Sequence, residues 1–129
     1  MNKEFIPHQE ALELKELGFN ELCLEAYDKN GMLYHSHKTD KLFTALNSNL
    51  STQCSAPLYQ QAFRWFREKH RLVHEVQFGS GKIWVRYGYN SFTRALEVDS
   101  NNNEFYHTYE EAELACLKKL IEIVKGGDK

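Results

Sequence analysis

Four side chains carry the most suggestive chemistry: His74, Tyr87, Arg94 and Glu113. An imidazole and a carboxylate exchange protons, a phenol donates one, and a guanidinium holds an anion. The spacing of the strands that carry them sets His74, Tyr87 and Arg94 side by side on an otherwise apolar face, within reach of Glu113 on the last helix. A buried polar row needs partners, so it reads as a small acid/base or anion-binding site. The plainer reading puts the row near the end of the sheet, where long side chains reach water. A second set is His35 and His37, two apart on one strand, with Cys23 and Glu25 on the strand that pairs with it. Imidazole, thiolate and carboxylate are zinc ligands, but no metal-binding spacing frames them, and exposed histidines on hairpins share the same pattern. No metal or cofactor is therefore expected.

A third set is basic and aromatic. Arg64, Arg67, Lys69, His70 and Arg71 cluster at the end of a helix that also carries Trp65, and Lys82, Trp84 and Arg86 share the outer face of a sheet. Aromatic rings beside cations stack bases and hold phosphates, and Trp and Arg are also the residues that anchor protein interfaces. The expected neighbours favour the second use. Glu75 opposite Arg86, Gln77 opposite Trp84 and Glu97 beside Trp84 read as ordinary cross-strand pairs. The expectation is a protein-binding surface, or self-association, anchored by Trp65, Arg64, Arg67, Trp84 and Arg86, with nucleic acid as the alternative partner. Covalent catalysis has little to stand on. No GxSxG, HExxH, GxGxxG or Walker loop is present, and Gly79-Ser80-Gly81-Lys82 has the wrong spacing for a phosphate loop. Cys54 falls just before a predicted helix, where a thiol pKa can drop.

These residues need elements to hold them. Pro7 suits a first helical turn, and Gly18 followed by Phe19 suits a left-handed stop, so a helix is predicted over 7–17. Asp28-Lys29-Asn30-Gly31 is a turn. A three-residue loop with Gly31 as a bulge sets Met32 and Tyr34 beside Leu24 and Ala26 and keeps one hairpin face apolar. Residues 37–54 are polar and weakly patterned. A second helix is predicted over 56–69, capped by Ser55, with Leu58, Tyr59, Ala62, Phe63 and Phe66 on one stripe and Trp65 at its edge. Three strands follow, over 72–78, 83–89 and 92–98, joined at Gly79–Lys82 and by a tight Asn90-Ser91 turn. Even spacing sets Leu72, Val76, Phe78, Ile83, Val85, Tyr89, Phe92, Leu96 and Val98 on one face. Ser100-Asn101-Asn102-Asn103 reads as a loop. Thr108 and Glu111 form a capping box for a last helix with a broad apolar stripe.

The order is α-β-β-α-β-β-β-α, an α+β arrangement of three helices on one face of a largely antiparallel sheet. Composition agrees with one compact domain spanning 1–129. The 129 residues are 42% hydrophobic and 26% charged, close to globular averages. Sixteen Lys+Arg against 18 Asp+Glu leave a net charge of −2, so no global field draws the chain to nucleic acid or an anionic membrane. No apolar run has the length of a membrane span, and the first residues lack a secretory apolar core. The expected location is a cytoplasm, its own or a host's. Three widely spaced cysteines form no disulfide framework and no CxxC pair.

Three segments carry a resemblance: IPHQEALELKELGF (6–19), APLYQQAFRWFREKH (56–70) and HTYEEAELACLKKLIEIV (107–124). Together they resemble a group of small uncharacterised proteins of gut anaerobic bacteria, their phages and mobile elements. The Ala-Pro-x-Tyr-Gln-Gln-Ala-Phe-Arg-Trp-Phe-Arg-Glu-Lys run and the Thr-Tyr-Glu-Glu-Ala run are the specific matches. The resemblance implies an accessory role in a phage or mobile element, and carries over no catalytic residues.

Overall fold

The structure, a computed structural model, describes residues 4–21, 23–35, 54–91, 93 and 95–126. The chain divides into two compact units, Met1–Gln61 and Ala62–Lys129. The fold is α+β, with the predicted order of helices and strands, one further short strand, and two antiparallel sheets in place of one.

In the first unit, α1 spans His8–Glu16, with Pro7 at its N-cap and the Ala11 N–H donating to the Pro7 carbonyl at 2.9 Å. Its end is a Schellman motif. Phe19 N–H reaches the Leu14 carbonyl (2.9 Å), Gly18 N–H reaches the Lys15 carbonyl (3.1 Å), and Gly18 sits at φ +100°. Leu14 and Phe19 are both buried. Strands β1 (Glu25–Tyr27) and β2 (Leu33–His35) pair as predicted, Ala26 opposite Tyr34, around the three-residue loop. Asp28 holds that loop, its Oδ1 accepting from the N–H groups of Asn30 and Met32 at 2.9 Å each. The expected apolar face is not covered throughout, since Leu24 and Met32 are largely exposed.

The added strand is β3, Cys54–Ala56, which pairs antiparallel with β1 and makes it the centre of the order β2-β1-β3. Extended backbone through Ser55 removes it as a helix cap. The second helix, α2, starts three residues later than predicted and spans Tyr59–His70, with Gln61 Oε1 accepting from the Leu58 N–H at 3.0 Å. The predicted polar loop over 37–54 lies outside the described residues up to 53.

In the second unit, α2 ends abruptly. Arg71 takes φ 58°, its N–H donates to the Arg67 carbonyl at 3.2 Å, and β4 (Leu72–Gly79) begins at the next residue. Strands β4 and β5 (Lys82–Tyr89) pair in the predicted register around Ser80-Gly81. Both turn residues have positive φ, 52° and 75°, the backbone of a type I′ hairpin. Strand β6 departs from expectation. It spans Glu97–Asp99 and pairs Glu97 with Tyr87, Val98 with Arg86 and Asp99 with Val85. The predicted register is displaced by three residues, an odd number, so the faces reverse. The cause is the turn: the Asn90 N–H donates to the Arg71 carbonyl (2.9 Å), extending the β4 pairing, and the Ser91 hydroxyl engages Thr93. The tight Asn90-Ser91 turn does not close. Helix α3 (Tyr109–Lys125) is capped by Thr108, whose Oγ1 accepts from the Glu111 N–H at 3.1 Å, while Glu111 Oε1 accepts from the His107 N–H at 3.0 Å. It packs on β4 and β5. Ala112, Cys116, Leu117, Leu120 and Ile121 are buried, as are Leu72 and Val85 of the sheet.

Candidate functional site, an aromatic groove on the outer sheet face

The β4–β5 register sets Glu75, Gln77 and Gly79 on one face with Lys82, Trp84 and Arg86. Glu75 and Lys82 are exposed there, whereas Leu72 and Val85, on the opposite face, are fully buried. The displaced β6 adds Val98 to this outer face, opposite Arg86 and 61% exposed. Next along the chain, the Ser100 carbonyl accepts from the N–H groups of Asn103 (3.0 Å) and Phe105 (2.9 Å). Asn101, Asn102, Asn103 and Phe105 all have φ between 54° and 71°. Asparagine tolerates this left-handed region, but a bulky aromatic there is an outlier. Tyr106 then bridges Ile83, its N–H donating to the Ile83 carbonyl at 2.9 Å, and its hydroxyl donates to Asp99 Oδ2 at 2.5 Å.

This loop delivers Phe105 to Trp84. The two rings meet edge to face, with centroids 6.3 Å apart and planes at 72°, and Lys82 Nζ lies 5.0 Å from the Phe105 centroid, within cation–π range. Gly79 is the floor. A Cβ there would stand 2.9 Å from Trp84 Cη2, so the indole lies against the bare backbone. Val98, Ser80 and Ser100 complete an open groove of about 420 Å³. Beside it, Glu75 Oε1 accepts from Gln77 Nε2 (2.9 Å) and from Arg86 Nη1 (3.2 Å), an exposed cross-strand network in the predicted pairing. On the opposite face, Phe78 (62% exposed) and Tyr109 (44% exposed) stack at 6.1 Å with planes 6° apart.

Of the predicted anchors, Trp84 and Arg86 lie on this face. Arg64 and Arg67 are exposed on α2. Trp65 belongs to the core instead. It is 5% exposed and packs edge-on against Phe66 and His70. Glu97, expected beside Trp84, stands opposite Tyr87. The sequence suggests a short extended piece over 104–107, but Phe105 takes φ 61°, because the left-handed turn begun by the three asparagines runs on to it.

The polar row is brought together in part. His74 and Tyr87 are paired, but the place expected for Arg94 is taken by Glu97, and Arg94 itself lies outside the described residues. His74 stacks on Phe63 at 3.5 Å with planes 14° apart. Burial first, and the Arg67 charge second, lower its pKa to about 4. Burial also raises Tyr87 and Glu113, the latter helped by Glu110. In the first unit, Glu25 pairs with His35 as predicted, while His37 lies outside the described residues. The Cys23 thiol, which donates to the Glu21 carbonyl at 3.4 Å, is pushed up to about 11 by burial, which disfavours the thiolate a metal needs. Among the described residues no group of three or more His, Cys, Asp or Glu side chains could hold a metal ion. Cys54 is buried in β3, and burial raises its thiol to about 11 as well, opposite to the activation expected at a helix N-terminus. No described helix is long and apolar enough to cross a membrane.

Compared with protein-family models, curated proteins and solved structures, the chain matches none.

Proposed function

We propose that this protein is a non-catalytic binding module that docks another protein on the outer face of the β4-β5-β6 sheet, through Trp84, Phe105, Lys82 and Arg86. The observation that supports this reading most is Phe105. A bulky residue in the left-handed region costs about 1–2 kcal/mol, and the conformation places its ring against Trp84 in an open groove. A half-buried aromatic pair with one cation, Lys82, at its edge is the composition of an interface anchor. An accessory role in a phage or mobile element, in the cytoplasm of its own or a host cell, agrees with the resemblance of the three segments. The nucleic-acid alternative draws on the same rings, but the Glu75 carboxylate stands on the same face and would repel a phosphate backbone.

The test is a photo-crosslinker at the groove's rim, Val98→benzoylphenylalanine, in the cell that makes the protein. Adducts that proteases destroy and nucleases spare, and that vanish when Trp84→Ala is added, are expected. An adduct with a second copy of the chain would make the partner itself. Nuclease-sensitive adducts, or no adducts, would overturn the reading.

A further inference from the structure

We infer that the groove takes an extended acidic peptide, seating one proline or aromatic ring in the Trp84–Phe105 corner and directing a carboxylate one or two residues away to Lys82. This rests on the binding-module reading and specifies its ligand.

The size of the groove sets the first limit. About 420 Å³ is near the lower end of the ~300–1,000 Å³ that small-ligand sites occupy, room for one ring and the backbone on either side. Its shape sets the second. Two rings at 72° form two walls of a corner, and an entering ring meets the face of one and the edge of the other, the arrangements aromatic quadrupoles favour. The Trp84 wall is held in place from beneath, because only a glycine at position 79 lets the indole lie so close to the backbone.

Charge sets the third limit and selects the class of ligand. Among the described residues lining the groove, Lys82 carries the single charge and none is a carboxylate. Of the flanking carboxylates, Glu104 is exposed beside Phe105 and outside the groove lining, and the other two are engaged. Glu75 accepts from Arg86 and Gln77, and Asp99 accepts from Tyr106 and Asn101. One unbalanced ammonium matches one carboxylate. A nucleic-acid strand presents a charge at every nucleotide and would pass the Glu75 carboxylate on the same face, so the balance favours a peptide over an oligonucleotide. An ammonium above a ring keeps donors for a carboxylate.

A displayed library of random nonapeptides, panned on the full chain, tests this. Enriched clones should carry Pro, Trp, Phe or Tyr within two residues of Asp or Glu. A synthetic peptide from the leading clone should bind at least tenfold more weakly to the Trp84→Ala chain. It should lose affinity for the Lys82→Glu chain, which should in turn prefer the same peptide with Lys in place of its acidic residue. Trp84→Phe, which keeps a ring on the sheet, should fall between wild type and Trp84→Ala, separating groove binding from a failure to fold. Absence of the ring–acid pattern, binding indifferent to Trp84→Ala, or displacement by decathymidylate as effective as by unlabelled peptide would overturn the inference. If panning fails while Val98 still yields protein adducts, the ligand chemistry is wrong and the module reading stands. If the adducts are missing as well, both fall.

Discussion

At the scale of single residues, His74 shows what burial does to a group that looks catalytic in the sequence. Its ring is stacked on Phe63, and its pKa is lowered to about 4. In the unfolded chain a histidine titrates near pH 6.5. The folded state therefore binds the proton less readily than the unfolded state. The stability that the neutral ring contributes is fully present above pH 6.5 and is lost as the pH falls toward 4, by up to about 3 kcal/mol. Denaturant titrations between pH 7 and 4 should show this loss in the wild type and a flatter profile in His74→Phe. Equal slopes for the two chains would mean that the fold leaves the proton affinity of the imidazole unchanged. The pairing of His74 with Tyr87 was legible, since alternation and an even-length hairpin determine it. The pairing of Glu97 with Tyr87 was not, because it depends on one backbone N–H, that of Asn90, bonding to Arg71 instead of closing a tight turn. Trp65 sits at the edge of the α2 stripe on a helical wheel, and only its neighbours Phe66 and His70 decide that the edge is inside.

At the scale of elements, the stop of α1 and the cap of α3 were readable, because each is a local hydrogen-bond problem with a short list of solutions, whereas the cap expected at Ser55 was lost to strand β3. Gly18-Phe19 and Thr108-x-x-Glu111 both form as their residues suggest, save that Glu111 reaches the N–H of His107 in place of that of Thr108. The junction of α2 and β4 was not readable. A non-glycine residue, Arg71, occupies the left-handed position that most helices give to glycine. Arg71→Gly should remove that strain and stabilise the chain by about 1 kcal/mol, read as a higher denaturation midpoint at unchanged slope. A lower midpoint would show that the arginine side chain contributes more than its backbone costs. Strand β3 was missed because three residues are too few for alternation to register. The helix stripe, by contrast, spans several turns and was placed correctly while its start was not.

At the scale of the whole molecule, composition indicated a folded globular chain, the order of elements indicated its α+β class, and the three cysteines bear on how that fold can be followed. Cys23 and Cys54 are buried in the first unit and Cys116 in the second, with burial raising the thiols to about 11, 11 and 12. Native protein at pH 8 should resist an aromatic disulfide reagent at all three positions and react at all three in denaturant, with mass spectrometry of peptides reporting the two units separately. Rapid labelling of any of them in the native state would contradict the burial. What composition could not indicate is the groove, since it depends on a three-residue displacement of β6 and on a left-handed loop, both decided by backbone hydrogen bonds far finer than a charge count. The bare backbone beneath the indole has a consequence for how such a surface can diversify. Any side chain at position 79 acts as a wedge under the ring, so the glycine and the tryptophan form a single heritable choice: a descendant that exchanged the indole for a smaller group would free its neighbour to vary, and one that gained a methyl at 79 first would lose its docking wall in the same step.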